Sequence, residues 1–166
     1  MRLRDKRAVI TGASSGIGRA IAVAFAREGA SVVVNYARSV AGAGETVKLI
    51  TAGGGSGSKI QADVSNVKDV HRLVHESKRL LGGIDIWANI AGADILTGAT
   101  AKLEDVEKLS RLIDVDLRGT MLCSWKVAEI MRTQASGVIL NMSWDMALAG
   151  MAERNPEMFA AIKAGV

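Results

Sequence analysis

The chain has 166 residues, of which 49% are hydrophobic and 23% are charged, and its formal net charge is +4. This length and balance fit a single folded domain over residues 1–166 and exclude a disordered, collagen-like or disulfide-stapled chain. The 21 basic residues are interspersed with 17 acidic ones, and only 4% of residues are aromatic, so no nucleic-acid partner is expected.

The cysteine content and the hydropathy pattern bear on where the protein is found. Its single cysteine, Cys123, excludes an intrachain disulfide and favours a reducing, cytoplasmic setting. The apolar run near the N-terminus is too short for the core of a signal peptide, and no stretch approaches the ~20 apolar residues that span a membrane. No membrane partner is therefore expected, whereas the basic surface suits an anionic ligand.

Short apolar segments alternate with longer amphipathic segments along the chain. In chain order they predict a strand at 7–11, a helix at 17–28, a strand at 31–35, a helix at 39–52, a strand at 59–62, a helix at 67–81, a strand at 84–90, a helix at 103–132 and a strand at 138–142. Loops are expected at 53–57 and 92–100, with a break in the long helix near 114–116. This alternation predicts an α/β fold, a doubly wound parallel sheet that binds ligands at the carboxyl ends of its strands.

Three glycines follow the first predicted strand, in the stretch T-G-A-S-S-G-I-G. Gly12 permits a sharp turn, Gly16 lets a pyrophosphate approach the backbone, and Gly18 lets the next helix pack closely on the strand. That helix directs free N–H groups and the positive end of its dipole towards the turn. A G-x-x-x-G-x-G spacing between a strand and a helix predicts a dinucleotide-binding site.

The same stretch resembles the T-G-x-x-x-G-I-G signature of the short-chain dehydrogenase/reductase family. Residues 63–64 (D-V) match the family's pair beside the adenine, residues 89–92 (N-I-A-G) resemble its N-N-A-G element, and residues 137–143 resemble its fifth strand. The resemblance covers essentially the whole chain. It implies a Rossmann-type fold and an NAD(P)(H)-dependent oxidoreductase, a homodimer or homotetramer, that interconverts an alcohol and a ketone or aldehyde on a small-molecule substrate.

The resemblance also implies which residues contact the cofactor. They lie in the glycine-rich turn, after the second, third and fourth strands, and at the lysine of the catalytic pair. The expected contacts are Gly12, Ser14, Ser15, Gly16, Ile17, Gly18, Asn35, Arg38, Ser39, Asp63, Val64, Asn89, Ala91, Gly92 and Lys163.

The residues after the second strand bear on the choice of nicotinamide cofactor. A carboxylate there would bind the ribose hydroxyls and repel a 2′-phosphate, but this chain has N-Y-A-R-S over residues 35–39. Arg38 and Ser39 can bind a phosphate through charge-assisted hydrogen bonds, and similar stretches occur in family members that use NADP(H). NADP(H) is therefore favoured over NAD(H); the alternative is that Arg38 merely begins a solvated helix.

The family's catalytic residues are only partly retained. The family uses a Tyr-x-x-x-Lys pair, a serine after the fifth strand and an asparagine in the preceding helix. Here Phe159 stands at the tyrosine position and Lys163 at the lysine, Trp144 at the serine with Ser143 adjacent, and Asp116 at the asparagine. A phenyl ring can neither donate nor accept a proton, so the catalytic site is atypical.

Three explanations remain open. A relocated acid or base could act, the candidates being Asp145, Ser143, Asp116 and Asp94. Alternatively, the protein is a catalytically silent dinucleotide-binding regulatory or scaffold member, or a degenerate member with residual activity. The catalytic candidates are Lys163, Ser143, Asp145 and, as the substituted position, Phe159.

The last helix is expected from Asn155 as N-cap and Pro156 at the first helical position, with residues 159 and 163 on one face. Family members continue beyond this helix. The resemblance therefore implies a C-terminally truncated chain that lacks the family's last helix and strands and leaves an apolar face beside the fifth strand exposed.

Two weaker patterns favour structural roles. His71 and His75 are four residues apart but have no evident third ligand, so a solvated helix face is favoured over a metal site. Several methionines fall around the expected substrate side, where they would line an apolar pocket or fill the core: Met142, Met146, Met151 and Met158.

Overall fold

The computed structural model describes residues 1–147, 149 and 156–166. The strands are β1 (Arg7–Ile10), β2 (Ser31–Tyr36), β3 (Ser56–Gln61), β4 (Ile86–Asn89) and β5 (Val138–Asn141). The helices are α1 (Gly16–Arg27), α2 (Val40–Ala52), α3 (Val67–Leu81), α4 (Asp105–Leu112), α5 (Gly119–Gln134) and α6 (Pro156–Ala164). A π-helical segment, Ile113–Arg118, joins α4 to α5, and short 3₁₀ turns occupy Thr100–Lys102 and Asp145–Ala147.

The five strands form one parallel sheet in the order β3-β2-β1-β4-β5, which confirms the predicted doubly wound α/β architecture. The strand order reverses between β1 and β4, because the chain runs outward from β1 through β2 to β3 and then crosses to β4 and β5 on the other side of β1. At such a switch point the loops that leave neighbouring strands diverge and open a crevice at the carboxyl edge. The fold thus fixes the place of the site before any side chain is considered.

Alternate residues of the central strands feed two separate cores. Val9, Val33 and Trp87 face α3 and α5, whereas Ile10 and Val32 face α1 and α2. Burial on both faces explains why these strands read as continuous apolar runs. At the far edge, Val138 and Leu140 of β5 are about half exposed, at 53% and 45%.

Two predicted boundaries were wrong for identifiable reasons. The loop predicted at 53–57 ends early, because β3 begins at Ser56 and pairs with β2 from Ser31 onward. Gly57 pairs with Val32 in this strand, and a Cβ there would lie only 3.0 Å from Ile50 Cγ2, so the close packing of α2 on β3 favours glycine. The expected break near 114–116 is a π-helical segment that continues the helix without interruption.

Other elements end where the sequence indicates. Asn66 caps α3 by accepting hydrogen bonds from the N–H groups of Lys68 and Asp69, and Gly82, at φ +76°, ends it in the left-handed conformation. The predicted N-cap of α6, Asn155, lies outside the described residues, as does Met151.

The structure places most of the histidine, cysteine and methionine residues that the sequence analysis considered. His71 and His75 are exposed on α3, and in the described part of the chain no cluster of three His, Cys, Asp or Glu side chains could hold a metal. Cys123 is fully buried, and burial raises the pKa of its thiol to about 12. Met158 packs on a small cluster with Ile162. Over the residues described here, no helix is both long and apolar enough to cross a bilayer.

Candidate nucleotide-binding cleft

A cleft of about 720 Å³ opens at the carboxyl edge of the sheet, over the switch point. Fourteen of the fifteen expected cofactor contacts line it, the exception being Asn89. It is also lined by residues that the sequence did not single out: Ala37, Ala62, Ile90, Ala93, Thr100, Arg111 and Val115. Most of these follow strand ends in the chain, which is the signal that would have identified them.

The turn after β1 is held against β4 by Thr11. Its Oγ1 accepts hydrogen bonds from the N–H groups of Ile90 (2.9 Å) and Ala91 (3.0 Å) and donates to Ala88 O (3.3 Å). Gly12 follows at φ +64°, and a Cβ there would lie 2.7 Å from Ala91 Cα. Both the backbone angle and the lack of space therefore require glycine at this position.

The glycine turn ends at the start of α1. A Cβ on Gly18 would lie 2.5 Å from Gly12 O, so the helix packs directly on the turn. Gly16 has φ +53°, but nothing lies within 4 Å of where its Cβ would stand. Ser15, the N-cap, makes no side-chain capping bond, so its side chain leaves the first-turn N–H groups of α1 to the cleft.

The loop after β2 carries the second polar group of the cleft. Ser39 caps α2, its Oγ accepting a hydrogen bond from Gly42 N at 3.1 Å, which leaves the hydroxyl hydrogen to donate elsewhere. Arg38 is exposed beside it and has no ion-pair partner among the residues that the structure describes. This corner therefore presents a free guanidinium and a hydroxyl next to a helix N-terminus.

Asn35 lines the cleft, but its side chain holds the fold together. Its Nδ2 donates to the carbonyl oxygens of Ala62 (3.0 Å) and Ile60 (3.4 Å), and its Oδ1 accepts from Gly12 N at 3.3 Å. Because the side chain is 1% exposed and all three bonds are internal, Asn35 supports the glycine turn from below.

The residues that follow β3 form another part of the cleft wall. Asp63 Oδ1 accepts from the N–H (2.9 Å) and hydroxyl (2.7 Å) of Ser65, and Val64 is buried beneath α5. The N–H group of Asp63 donates a hydrogen bond to the Asp69 carboxylate. This bond and the side chain of Arg72 together hold the pKa of Asp69 below its usual range. Asp63 is thereby fixed at the lip of the cleft.

Asn89 lies at the end of β4 but outside the cleft lining. Its Nδ2 donates to Ser124 Oγ (3.0 Å) and Asn141 Oδ1 (2.9 Å), and its Oδ1 accepts from Trp87 Nε1 (2.7 Å). These bonds join β4 to α5 and β5. The side chain that the sequence assigned to the cofactor therefore has its polar groups satisfied inside the protein.

The inner end of the cleft holds a buried ion pair. Lys163 Nζ lies 2.9 Å from Asp116 Oδ1 and donates to Met142 O at 3.1 Å, and the two side chains are 8% and 1% exposed. Asp116 Oδ2 accepts from Ala93 N at 2.7 Å. The π-helical segment turns Asp116 inwards, while Asp114 of the same segment stays at the surface. The opposite charges at two family catalytic positions were the sequence signal for this pair.

Aromatic side chains cover the ammonium group. The ring of Phe159 lies 5.6 Å from Lys163 Nζ, within the range of a cation–π contact, and Trp144 packs edge-on against Phe159 with ring centroids 5.1 Å apart. Ser143 Oγ donates to Lys163 O at 2.6 Å. Phe159 therefore contacts both Trp144 and the Lys163 ammonium group, but its ring has no proton to transfer.

The remaining acid–base candidates differ in position. Asp94 lines the cleft, but hydrogen bonds from the Thr97 side chain and from the N–H groups of Leu96 and Thr97 hold its pKa below its usual range. It therefore stays ionised and is a weak base. Asp145 is exposed in a 3₁₀ turn, does not line the cleft and accepts a hydrogen bond from Met146 N.

Comparisons with known proteins agree with this architecture. A family model described as short chain dehydrogenase matches residues 6–166. A 3-oxoacyl-[acyl-carrier-protein] reductase from Synechocystis is 40% identical over 162 residues, which cover 96% of this chain and 63% of the relative. The 3beta-hydroxysteroid dehydrogenase 1 of Eggerthella lenta is 38% identical over 142 residues, 85% of this chain and 54% of the relative.

Solved structures give the same result. The structure of a short-chain dehydrogenase/reductase of Serratia marcescens, solved as a double mutant, superimposes with a TM-score of 0.86 at 28% identity and covers 99% of this chain and 65% of the other. The chain thus spans 54% to 65% of the length of these relatives. With a family model matched over nearly every residue, the chain belongs to the short-chain dehydrogenase/reductase family, whose members are oxidoreductases that bind NAD(P).

Proposed function

We propose that this chain is the NADP(H)-binding part of an oxidoreductase that interconverts an alcohol and a ketone or aldehyde on a small-molecule substrate. The observation that carries the proposal is that one and the same cleft is lined by the glycine turn, the Arg38–Ser39 corner and Lys163, at one edge of the sheet. Relatives named as reductases and dehydrogenases support the reaction class. The exposed apolar side chains of Val106, Met121 and Trp125 on α4 and α5 support the expected dimer or tetramer.

The residues present fit a dinucleotide. The first-turn N–H groups of α1 and the open space at Gly16 suit the pyrophosphate, because a partial positive charge and a bare backbone meet there. Asp63 and Val64 flank the adenine side. Lys163 donates one ammonium hydrogen to Met142 O and is ion-paired with Asp116, and a remaining hydrogen can donate to a ribose hydroxyl.

The Arg38–Ser39 corner supports NADP(H) over NAD(H). A 2′-phosphate there would accept hydrogen bonds from a guanidinium without a competing carboxylate and from a serine hydroxyl at the N-terminus of α2. The alternative, in which Arg38 only begins a solvated helix, does not account for its place in the lining of the same cleft as Gly12 and Ser14.

When bound, the nicotinamide supplies or accepts the hydride. The protein's own contribution at this end is to hold the ribose through Lys163 and to exclude water with Phe159 and Trp144. The groups near the reacting centre that could exchange a proton are Ser143 and the Asp116–Lys163 pair. Asp94 is a less suitable acid or base because its pKa lies below its usual range, and Asp145 is less suitable because it does not line the cleft.

A second candidate is a catalytically silent dinucleotide-binding member of the family. The observation that favours it is that the groups at the expected catalytic positions are either missing or already engaged. Phe159 lacks a hydroxyl group, Ser143 donates its hydroxyl hydrogen to Lys163 O, and Lys163 is ion-paired with Asp116. In this arrangement the cofactor would bind, but none of these three side chains, Phe159, Ser143 and Lys163, would be free to move a proton to the substrate.

Hydride transfer distinguishes the two candidates. NADPH oxidation is measured with a panel of ketones and aldehydes for the wild-type chain, Phe159→Tyr and the matched control Phe25→Tyr, since Phe25 is half-buried in α1 away from the cleft. Wild-type turnover that disappears in Ser143→Ala or Asp116→Asn supports a relocated acid or base. A silent wild type with turnover gained only in Phe159→Tyr supports the silent member. Failure of the wild type to bind either NADPH or NADH overturns both.

A further inference from the structure

Behind the glycine turn, the side chain of Arg19 bridges two helices. It projects from the first turn of α1, and its Nη2 donates to Ser14 O at 2.6 Å and to Gly42 O at 3.2 Å. Its Nε donates to Thr46 Oγ1 at 3.1 Å. One planar guanidinium therefore contacts the glycine turn on one side and the first two turns of α2 on the other.

The N-terminus of α2 is tightly packed against the glycine turn. A Cβ on Gly42 would lie 2.7 Å both from Ser14 O and from Ser39 Oγ, so α2 begins directly against the glycine turn. Thr46 is fully buried, and its hydroxyl is within hydrogen-bonding distance of Ala13 O (2.9 Å) and Gly42 O (3.0 Å). Three backbone carbonyl oxygens thus converge here.

The guanidinium offsets this concentration of carbonyl dipoles. Without a positive charge, the oxygens of Ala13, Ser14 and Gly42 would repel one another and present negative potential behind a site built for phosphate. Arg19 does not itself line the cleft. Its effect on a ligand must therefore pass through the elements that it joins.

Those elements are the two anion-binding corners of the cleft. The glycine turn faces the pyrophosphate, and Arg38 with Ser39 faces the 2′-phosphate in the proposed function. One adenosine links these two phosphate groups in NADP(H), so their separation is nearly fixed, and a protein that binds both needs the same fixed separation. NADH has no 2′-phosphate and does not impose this requirement.

We infer that Arg19 is a positioning residue for recognition of the 2′-phosphate: by joining Ser14 to Gly42 it sets the distance between the glycine turn and the Arg38–Ser39 corner. The inference rests on the proposed NADP(H) site and adds a specificity determinant outside the cleft. The two arginines then have different roles: Arg38 contacts the 2′-phosphate, and Arg19 fixes the position of Arg38 relative to the glycine turn.

The test is a double-mutant cycle on the affinities for NADPH and NADH, measured by titration calorimetry. The variants are Arg19→Met, Arg38→Ala and the double mutant, with Arg27→Met as the control because Arg27 lies exposed at the opposite end of α1. Arg19→Met should lower the NADPH-to-NADH affinity ratio about tenfold, the loss expected for charge-assisted hydrogen bonds. Arg27→Met should leave the ratio unchanged within about twofold.

Coupling is the readout that a merely structural role would not produce. If Arg19 acts through Arg38, then adding Arg19→Met to Arg38→Ala changes the ratio by less than about twofold. Should Arg19→Met prove unstable, Arg19→Lys keeps the charge but not the planar fork and should lower the ratio about threefold.

Two results overturn the inference alone: an NADPH-to-NADH affinity ratio that Arg19→Met leaves unchanged, with or without an equal loss for both nucleotides, or full additivity in the double mutant. A wild type that binds both nucleotides equally also overturns it, because no 2′-phosphate preference exists to be set. A wild type that binds neither nucleotide instead overturns the proposed function itself.

Discussion

Alanine substitution at three glycines separates the cost of folding from the cost of binding. Gly12, Gly16 and Gly54 all have positive φ, at +64°, +53° and +77°. Placing alanine in this left-handed region costs about 1–2 kcal/mol of folding free energy. Nothing lies within 4 Å of a Cβ on Gly16 or Gly54, so each of these substitutions should cost only that amount.

Gly12→Ala adds a steric cost. Its Cβ would lie 2.7 Å from Ala91 Cα, and overpacking of this kind costs a further ~1–3 kcal/mol, for a total of about 2–5 kcal/mol. Gly16→Ala places its methyl group in the open space assigned to the pyrophosphate. It should therefore weaken NADPH binding at least about tenfold, whereas Gly54→Ala, outside the cleft lining, should stay within about twofold.

Urea unfolding monitored by circular dichroism gives the stability terms, and calorimetric titration with NADPH gives the affinities. Gly54→Ala is the matched control for Gly16→Ala, since the two share the backbone penalty and the open surroundings. Equal loss of NADPH affinity in both variants would refute the assignment of the glycine turn to the pyrophosphate. A Gly12→Ala variant no less stable than Gly54→Ala would refute the steric argument.

Three further predictions concern charge and burial. Asp116→Ala leaves the buried Lys163 ammonium without its ion-pair partner and should lower the free energy of unfolding, measured in urea, by about 3–5 kcal/mol. Asp116→Asn can still accept a hydrogen bond from Ala93 N and should lower it by less. An equal loss of stability in the two variants would contradict this prediction. Arg7 holds the pKa of Asp85 below its usual range, chiefly through their side-chain hydrogen bonds. The pair therefore stabilises the fold fully at pH values above the ordinary carboxyl pKa. This stabilisation is lost as the pH falls through the lower pKa that Asp85 has in the folded state. Thermal melts from pH 6 to pH 2 should therefore show a steeper loss of stability in the wild type than in Asp85→Asn, and parallel curves would exclude the contribution. Cys123, whose pKa burial raises to about 12, should react with a thiol reagent at pH 8 only at the rate of unfolding, and rapid labelling of the native protein would contradict its burial.

The features that were predictable from the sequence depend on local patterns. The apolar runs that became β1 and β2 are buried on both faces, so their continuous hydrophobicity identified them without ambiguity. The glycine turn was recognisable because its spacing is dictated by close contacts such as that of Gly18 with Gly12 O. Phe159 and Lys163 both line the cleft, as expected from their spacing of four on one helix.

The features that were missed depend on contacts between distant segments. Arg19 binds backbone carbonyl oxygens of Ser14 and Gly42, and a carbonyl has no residue type that a sequence pattern could reveal. Asn35 and Asn89 were expected to contact the cofactor because of the family resemblance. Their amides instead satisfy buried backbone and side-chain groups, which only the three-dimensional arrangement shows.

We propose that the cleft at the carboxyl edge binds a dinucleotide and recognises its 2′-phosphate through the Arg38–Ser39 corner. Calorimetric titration of the wild-type chain with NADPH and with NADH measures both properties. We predict saturable binding of one NADPH per chain, at least about tenfold tighter than NADH. Absence of saturable binding by either nucleotide, or tighter binding of NADH, would contradict the account.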